Sequence, residues 1–285
     1  MKIKKVGVVG SGLMGRGIVE VCARAGYDVV LVASRDESLQ RGLKILESSL
    51  TRAVEKGRAT PEEKTDALSH IVGTIKNDDL KDCDYVIESV NENMELKRKV
   101  FIELDKVCPP HTILATNTSC LSVMEIASST QRPDKVLGLH FFNPVPMMKL
   151  VEIVKTFTTG EETLAITENF AKSLGKETLT VSDTPGFIVV RLVMPFVLGA
   201  IRLYESGVAS KEEIDQAIVL GLNYPTGPLA LCDFIGLDTI LSISSAMYQE
   251  LKDPQYTPPV LLKRLVAAGH LGRKTAKGFY YYDKR

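Results

Sequence analysis

The chain of 285 residues carries 35 basic and 35 acidic side chains, and 45% of its residues are hydrophobic. This composition is typical of a soluble globular protein of about two domains. The zero net charge and the lack of a long basic block argue against a nucleic-acid partner, and no apolar stretch is long enough to predict a membrane span. The five cysteines have neither paired nor metal-type spacing, which predicts reduced thiols, a cytoplasmic location and no metal site.

A glycine-rich loop follows the first predicted strand, in residues 5–15, KVGVVGSGLMG. Gly10 allows a tight turn, Gly12 lets the backbone approach a pyrophosphate, and Gly15 lets the next helix pack closely on the strand. The anion would bind backbone N–H groups at the helix start, where Leu13 and Met14 lie. Because it follows a strand, the pattern predicts a dinucleotide site. The alternative is a glycine-rich turn that binds no ligand.

The acidic ribose contact that usually ends the second strand is absent. The strand is predicted at Asp28–Val32, and Ala33, Ser34 and Arg35 follow it. A small residue, a hydroxyl and a guanidinium suit a 2′-phosphate, because a guanidinium is a permanent cation that can contact it bidentately. We therefore predict that NADP(H) is preferred, with NAD(H) possible. In the alternative, Arg35 is a solvated charge and Asp36 binds the ribose.

A helical hairpin is predicted after the second strand. Apolar residues have helical spacing from Glu37 to Lys56, Gly57 ends this helix, and the Thr60-Pro-Glu-Glu63 stretch predicts a capping box for the next one. The insert is longer than a minimal crossover, so it either has a binding role or is only structural.

Strand and helix patterns alternate further along the chain. Strands are predicted at 85–87, 112–115, 135–139, 151–155 and 177–181, and helices at 94–107 and 161–174. After Gly186 the strand pattern ends, and residues 188–204 form a helix that is apolar on most faces. We therefore predict an α/β Rossmann-type domain in residues 1–185, with the inserted hairpin, and an all-α domain in residues 186–285. The apolar helix predicts a homodimer formed through the second domain.

Three polar residues lie at or beside the ends of neighbouring predicted strands: Ser119, His140 and Glu152. Glu152 is close enough along the returning strand to contact one imidazole nitrogen, which would fix the tautomer and stabilise the imidazolium. Ser119 could hold the oxygen that loses its proton. A structural histidine is one alternative. A hydrolase triad is another, but Ser119 lacks a nucleophile elbow and a dinucleotide site opens the chain.

Several segments together carry a family resemblance over essentially the whole chain. The chain resembles the L-3-hydroxyacyl-CoA dehydrogenase family, including its short-chain 3-hydroxybutyryl-CoA members. The segments that carry this resemblance are Gly10–Gly15, Asn117–Ser119, His140–Pro146, Met148–Glu152, Asp183–Phe187, Tyr224–Pro228 and Lys277–Phe279.

The resemblance implies a reaction and a set of site residues. His140 would be the general base or acid, Glu152 its partner, and Ser119 a hydrogen-bond donor to the substrate oxygen, while hydride passes between carbon 3 of the acyl chain and the nicotinamide. The implied cofactor contacts are Glu92, Lys97, Ser119, Asn143 and Lys274. The implied coenzyme A contacts are Ser49 and Lys56, which would give the hairpin a function.

Two positions depart from the family pattern. The acidic ribose contact of NAD-using members aligns with Ala33, and the family's catalytic asparagine aligns with Val190, which has no hydrogen-bonding group. We expect reduction of a short-chain 3-oxoacyl-CoA such as acetoacetyl-CoA to the (S)-3-hydroxyacyl-CoA. The alternatives are a dehydrogenase of a non-CoA hydroxy acid, and a nucleotide-binding protein whose activity is weak because of Val190.

Overall fold

The computed structural model describes residues 2–283. They form two compact units, and the boundary between the units lies between Asp183 and Thr184. The first unit alternates strands and helices, and the second contains helices.

An eight-stranded sheet forms the centre of the N-terminal unit, in the order β3-β2-β1-β4-β5-β6-β7-β8. All neighbouring pairs are parallel except β6 and β7. The strand order reverses between β1 and β4, which is where doubly wound sheets bind ligands. The strands are β1 (Lys5–Val9), β2 (Asp28–Val32), β3 (Ile71–Thr74), β4 (Tyr85–Glu88), β5 (Ile113–Thr116), β6 (Val136–Phe141), β7 (Leu150–Lys155) and β8 (Glu177–Ser182).

Helices cover both faces of this sheet. Along β2, Val29 and Leu31 belong to one buried cluster, while Val30 and Val32 belong to the cluster on the opposite face. Alternate residues of a strand point to opposite faces, so a strand buried on both sides is apolar at every position. The helices of this unit are α1 (Leu13–Arg24), α2 (Asp36–Glu55), α3 (Pro61–Ser69), α4 (Met94–Val107), α5 (Val123–Ala127) and α6 (Glu161–Ser173).

The predicted hairpin consists of α2 and α3, and the capping box at Thr60 and Glu63 is confirmed by both reciprocal hydrogen bonds. Gly57 has a φ of +63°, which favours glycine at the end of the first helix. The hairpin leads into β3, a half-exposed edge strand that the sequence analysis missed. It is therefore the crossover between β2 and β3, and the predicted sheet lacked this one strand.

In its described part, residues 184–283, the C-terminal unit contains five α-helices, and the strand-free pattern after Gly186 predicted a helical unit. Two buried aspartates organise it: Asp215 accepts from the N–H groups of Leu229 and Ala230, and Asp233 accepts from those of Phe279 and Tyr280. The helices are α7 (Val189–Glu205), α8 (Lys211–Leu222), α9 (Pro228–Ile235), α10 (Leu237–Leu251) and α11 (Val260–Ala267).

Two segments of this unit that carry the family resemblance, Tyr224–Pro228 and Lys277–Phe279, each contain a glycine that packs against one of these aspartates. A Cβ atom on Gly227 would lie 2.2 Å from the Asp215 Cβ, and one on Gly278 would lie 1.9 Å from the Asp233 Oδ1. These segments therefore need glycine in order to pack against the two aspartates.

All five cysteines are buried and free. Within residues 2–283 no group of three or more histidine, cysteine or carboxylate side chains is arranged to hold a metal ion. In the same range no single helix has both the length and the hydropathy of a membrane span, although the bent pair α9 and α10 passes that test of length and composition when taken together.

Candidate active site

The glycine-rich loop joins β1 to α1 at the point where the strand order reverses. Gly10 has a φ of +118°, and a Cβ atom there would lie 2.4 Å from the Ser89 carbonyl oxygen. A Cβ atom on Gly15 would lie 1.8 Å from the Gly10 carbonyl oxygen, whereas one on Gly12 would meet no atom within 4 Å. Gly10 and Gly15 are therefore required by the fold, and Gly12 keeps the space in front of α1 open.

This space suits the diphosphate of a dinucleotide. Gly12 is the N-cap residue of α1, and no side chain in the described part of the chain caps this helix start. The first N–H groups of α1, at Leu13 and Met14, are therefore available for an anion at the positive end of the helix dipole. The residues that are present fit the cofactor.

A cleft of about 320 Å³ continues from the loop towards the end of β2. Its lining includes Gly10, Gly12, Ala33 and Ser34, together with Asn77 from the segment after β3. Arg35 follows as the exposed N-cap residue of α2, and within residues 2–283 its guanidinium forms no ion pair. The predicted cofactor contacts Ser34 and Arg35 thus lie at the end of this cleft.

Two further guanidiniums lie beside the loop. The Arg16 Nη1 donates to the Ser11 carbonyl oxygen at 2.9 Å, and the Ser11 hydroxyl donates to the Ser38 carbonyl oxygen in the first turn of α2. Burial lowers the pKa of Arg16, and the nearby Arg41 on α2 lowers it further. The phosphate loop is therefore flanked by cations from both helices.

His140 and Glu152 form a buried pair between β6 and β7, which are the only antiparallel neighbours among the strands of residues 2–283. His140 in β6 lies directly opposite Glu152 in β7, and the imidazole Nδ1 lies 2.8 Å from the Glu152 Oε2. A carboxylate only accepts hydrogen bonds, so Nδ1 donates in this contact, and in the neutral form of the imidazole the lone pair is then on Nε2. The contact expected from the sequence is confirmed, although β6 continues one residue beyond His140.

The imidazole is also held by its neighbours. The ring of Phe142 packs against it with centroids 4.5 Å apart. His140 and Glu152 are 4% and 0% exposed, so little water reaches their contact. A hydrogen bond in such a site keeps the imidazole orientation fixed.

Ser119 lies in the loop that follows β5, the neighbour of β6. The Asn117 Oδ1 accepts a hydrogen bond of 2.8 Å from the Phe141 N–H, which ties this loop to the end of β6. The Glu92 Oε1 accepts from the Ser119 N–H at 2.8 Å and from the Thr118 hydroxyl at 2.6 Å. The backbone at Ser119 is thus fixed from two sides.

A buried ion pair supports Glu92. The Lys97 Nζ lies 2.8 Å and 3.0 Å from the two Glu88 carboxylate oxygens and 3.4 Å from the Glu92 Oε2. Glu88 also accepts from the Val90 N–H and the Thr116 hydroxyl. Lys97 is only 1% exposed. Lys97 is therefore not an exposed helix charge, because the carboxylates of Glu88 and Glu92 draw the ammonium inward.

Asp183, at the end of β8, holds the segment that follows Ser119. Its carboxylate accepts from the N–H groups of Val123 and Met124 and from the Ser122 hydroxyl. Asp183 therefore caps α5, a five-residue helix that the sequence analysis missed.

The remaining predicted residues lie elsewhere. Asn143 is exposed in the loop after β6, and its peptide bond to Pro144 is cis. Ser49 is on α2 beside the buried Glu20, and Lys56 is the exposed C-cap residue of α2. In the C-terminal unit, Lys274 forms an ion pair with Asp238.

Val190, also in the C-terminal unit, lies in the first turn of α7 and is half-buried. Its side chain offers no hydrogen bond at the position of the family's asparagine.

Three polar residues that hold this site together were not predicted from the sequence: Glu88, Asn117 and Asp183. Glu88 had a recognisable signal, since a carboxylate at the end of an otherwise apolar strand seldom lies in a core without a cation. The other two act through backbone groups of distant segments, and such contacts leave no local pattern.

Comparison with known proteins identifies the family. The model of the 3-hydroxyacyl-CoA dehydrogenase NAD binding domain matches residues 5–184, and that of the 3-hydroxyacyl-CoA dehydrogenase C-terminal domain matches residues 186–282. The chain is 49% identical over 280 residues to a 3-hydroxybutyryl-CoA dehydrogenase of Clostridioides difficile, covering 98% of this chain and 100% of that one.

Solved structures agree. The crystal structure of Mycobacterium tuberculosis FadB2 has a TM-score of 0.98 and 46% identity, covering 99% of this chain and 100% of that one. The crystal structure of (S)-3-hydroxybutyryl-CoA dehydrogenase PaaH1 from Ralstonia eutropha has a TM-score of 0.93 and 44% identity, with the same coverage of each chain. The chain is therefore an oxidoreductase of the 3-hydroxyacyl-CoA dehydrogenase family, of the 3-hydroxybutyryl-CoA dehydrogenase type.

Proposed function

We propose that the chain interconverts short-chain 3-oxoacyl-CoA and (S)-3-hydroxyacyl-CoA thioesters, such as acetoacetyl-CoA and 3-hydroxybutyryl-CoA, with NADP(H) as the preferred cofactor. The observation that carries the proposal is the buried His140–Glu152 pair, because His140 lies on β6, the neighbour of the strand β5 that leads to Ser119. The nicotinamide, when bound, supplies or accepts the hydride at carbon 3.

The protein's part in the reaction is to move one proton and to position one oxygen. His140 exchanges a proton with the substrate oxygen through Nε2, because Nδ1 is committed to Glu152. Glu152 stabilises the imidazolium that forms when the ring holds both protons. Ser119, whose backbone Glu92 holds, donates to the same oxygen. Four further residues would assist cofactor binding: Glu92, Lys97, Asn143 and Lys274. Glu92 and Lys97 would do so by holding the backbone of Ser119 in place.

The proposed preference for NADP(H) rests on charge at the end of β2. Ala33 offers no carboxylate that would repel a 2′-phosphate, Ser34 lines the cleft, and Arg35 is exposed without an acidic partner among residues 2–283. The cations Arg16 and Arg41 add to the positive potential beside the loop. A phosphate that contacts an exposed guanidinium gains a charge-assisted hydrogen bond.

Steady-state kinetics with acetoacetyl-CoA test the activity and the cofactor together. We expect a higher kcat/KM with NADPH than with NADH. Arg35→Ala should raise the KM for NADPH about tenfold, the usual effect of losing one charge-assisted hydrogen bond, and leave that for NADH unchanged. Lys81→Ala, an exposed cation away from the cleft, serves as the matched control. Tighter binding of NADH by the unmodified protein would refute the preference.

Val190 sets an expected limit on turnover. An asparagine at this position would supply a hydrogen bond, and the loss of one such contact in a transition state costs about 100-fold. We therefore expect Val190→Asn to raise kcat for acetoacetyl-CoA reduction towards that factor. An unchanged rate would show that this position does not limit the reaction.

We also propose that the chain forms a homodimer through its C-terminal unit. One face of α7 is buried within that unit, but Leu192 on α7 and Leu220 and Leu222 on α8 are 71%, 73% and 62% exposed. Exposed leucines at this density are typical of an interface. Light scattering should give twice the chain mass, and Leu192→Glu should halve it. A monomeric unmodified protein would refute the proposal.

A further inference from the structure

Arg16 lies on α1 just beyond the glycine-rich loop, and its side chain turns back to contact that loop. Its Nη1 donates to the Ser11 carbonyl oxygen at 2.9 Å, while its backbone N–H donates to the Gly12 carbonyl oxygen at 3.1 Å. The backbone contact belongs to the ordinary hydrogen-bond pattern of a helix, but the side-chain contact does not. Arg16 therefore holds two successive carbonyl groups of the loop.

The helix α2 contacts the same part of the loop. The Ser11 hydroxyl donates to the Ser38 carbonyl oxygen at 3.2 Å. A Cβ atom on Gly42 would lie 3.1 Å from the Ser11 Cβ and 3.5 Å from the Ser11 carbonyl oxygen, so the absence of a side chain at position 42 allows α2 to approach closely. Ser11 is thus fixed at its carbonyl group by Arg16 and at its side chain by α2.

The peptide bond between Ser11 and Gly12 passes this constraint to the cofactor cleft. The bond is trans, so its C=O and N–H groups point in opposite directions within one plane. The Ser11 carbonyl oxygen faces the Arg16 guanidinium, and the Gly12 N–H therefore points away from it. Within residues 2–283 this N–H donates to no acceptor, and Gly12 lines the cleft. A cation on the oxygen also polarises the peptide group, which strengthens its N–H as a donor.

The charge of Arg16 is not offset by a carboxylate. Among the described residues no aspartate or glutamate lies within ion-pair distance of its guanidinium. Burial lowers the pKa of Arg16, and the neighbouring cation Arg41 lowers it further. An anion bound at the loop would therefore stabilise the charged form of Arg16 as well as contacting the loop itself.

We propose that Arg16 is a positioning residue of the cofactor site, and that its hold on the Ser11 carbonyl directs the Gly12 N–H to the diphosphate of the dinucleotide. The inference rests on the proposed function. It concerns the part that NADPH and NADH have in common, whereas Arg35 is proposed to contact the 2′-phosphate that only NADP(H) carries. The effects of the two arginines are therefore separable.

Calorimetric titration tests this role without catalysis. The dissociation constants of NADPH, NADH and ADP-ribose would be measured for the unmodified protein, Arg16→Met and Arg16→Lys. ADP-ribose has the diphosphate but neither the nicotinamide nor the 2′-phosphate. Arg41→Met removes the neighbouring charge while Arg16 keeps its hydrogen bond to Ser11. Arg264→Met, at an exposed arginine of α11, is the matched control. Thermal unfolding checks that each variant folds.

We expect Arg16→Met to raise all three dissociation constants about tenfold and by the same factor. Arg16→Lys should raise them less, because an ammonium can still donate to the Ser11 oxygen. Arg41→Met should have a smaller effect than Arg16→Met, since it acts through charge alone, and the control should have none. An effect of Arg16→Met confined to NADPH would overturn the inference, because Arg16 would then act on the 2′-phosphate. Equal effects of Arg16→Met and Arg41→Met would overturn it too, because the loss of charge would then be sufficient.

Gly42→Ala tests the same peptide from α2 and leaves every charge in place. The added Cβ would press on Ser11, so we expect the dissociation constant of ADP-ribose to rise several-fold. The melting temperature should be maintained, because alanine favours a helix more than glycine does. This variant decides the question even where Arg16→Met fails to fold. ADP-ribose binding as tight as in the unmodified protein would show that the position of this peptide does not matter, and would overturn the inference.

The two proposals fail separately. A protein that binds ADP-ribose in an Arg16-dependent way but does not reduce acetoacetyl-CoA contradicts the proposed function alone. One that reduces acetoacetyl-CoA, and whose Arg16 variants bind ADP-ribose as the unmodified protein does, refutes the role of Arg16 alone.

Discussion

Replacing Lys97 by methionine would remove the cation of a fully buried ion pair. Lys97 and Glu88 are 1% and 0% exposed, and two contacts of 2.8 Å and 3.0 Å join them. Removing one partner of a buried pair leaves an uncompensated charge and typically costs about 3–5 kcal/mol. Glu88 would keep its hydrogen bonds from Val90 and Thr116, so we expect a loss at the lower end, about 3 kcal/mol.

The double variant Glu88→Gln, Lys97→Met separates this charge from other effects. Removing both charges leaves no unpaired buried charge, so the double variant should recover about 2 kcal/mol of the lost free energy of unfolding. Urea unfolding at neutral pH, followed by two spectroscopic probes, measures the differences. The Lys106→Met variant, on the same helix but outside the pair, is the control.

The kinetics of these variants give an independent readout. Lys97 also supports Glu92, which holds the Ser119 backbone, so Lys97→Met should lower kcat while Lys97→Arg retains part of it. A double variant as unstable as Lys97→Met would refute the charge argument. A single variant within about 1 kcal/mol of the unmodified protein would refute it as well, since exposed pairs contribute that little.

Three further predictions concern the His140–Glu152 pair, the glycine-rich loop and the cysteine thiols. Glu152→Gln should lower kcat about 1,000-fold at an unchanged melting temperature, because an amide cannot stabilise the imidazolium; a loss below tenfold would contradict this. Gly12→Ala should weaken NADPH binding in calorimetry while the fold persists, whereas Gly15→Ala should lower the melting temperature; equal effects would contradict the steric argument. Burial raises the pKa of Cys108 to about 11 and that of Cys83 to about 12, so folded protein at pH 8 should resist iodoacetamide that labels all five thiols in urea.

The regular elements could largely be predicted from the sequence. The bounds of β2 and α4 are those predicted, because an apolar strand between glycine and polar residues, and an amphipathic helix stopped by Pro109-Pro110, leave clear local patterns. β3 could not be predicted, since its four residues are half-exposed at the edge of the sheet and only pairing with β2 defines them.

The site was predicted where residues are neighbours on adjacent strands. The contact of His140 with Glu152 could be predicted because β6 and β7 are consecutive strands joined by a short connection. The burial of Lys97 does not follow from its helix, where a lysine usually lies on the surface. Only the packing of α4 against the sheet brings it to Glu88, and that arrangement depends on the whole fold.

The pairing of β6 with β7 has a consequence for engineering the site. A slip of one residue in this register would turn every side chain of a strand that is buried on both faces, so the register is strongly specified. The contact between His140 and Glu152 is therefore set by the pairing of the two strands, and within the connection of residues 142–149 it is the ring of Phe142 that packs against the imidazole. Changes in the length or composition of residues 143–149 that leave Phe142 in place should therefore maintain the distance between the imidazole and the carboxylate.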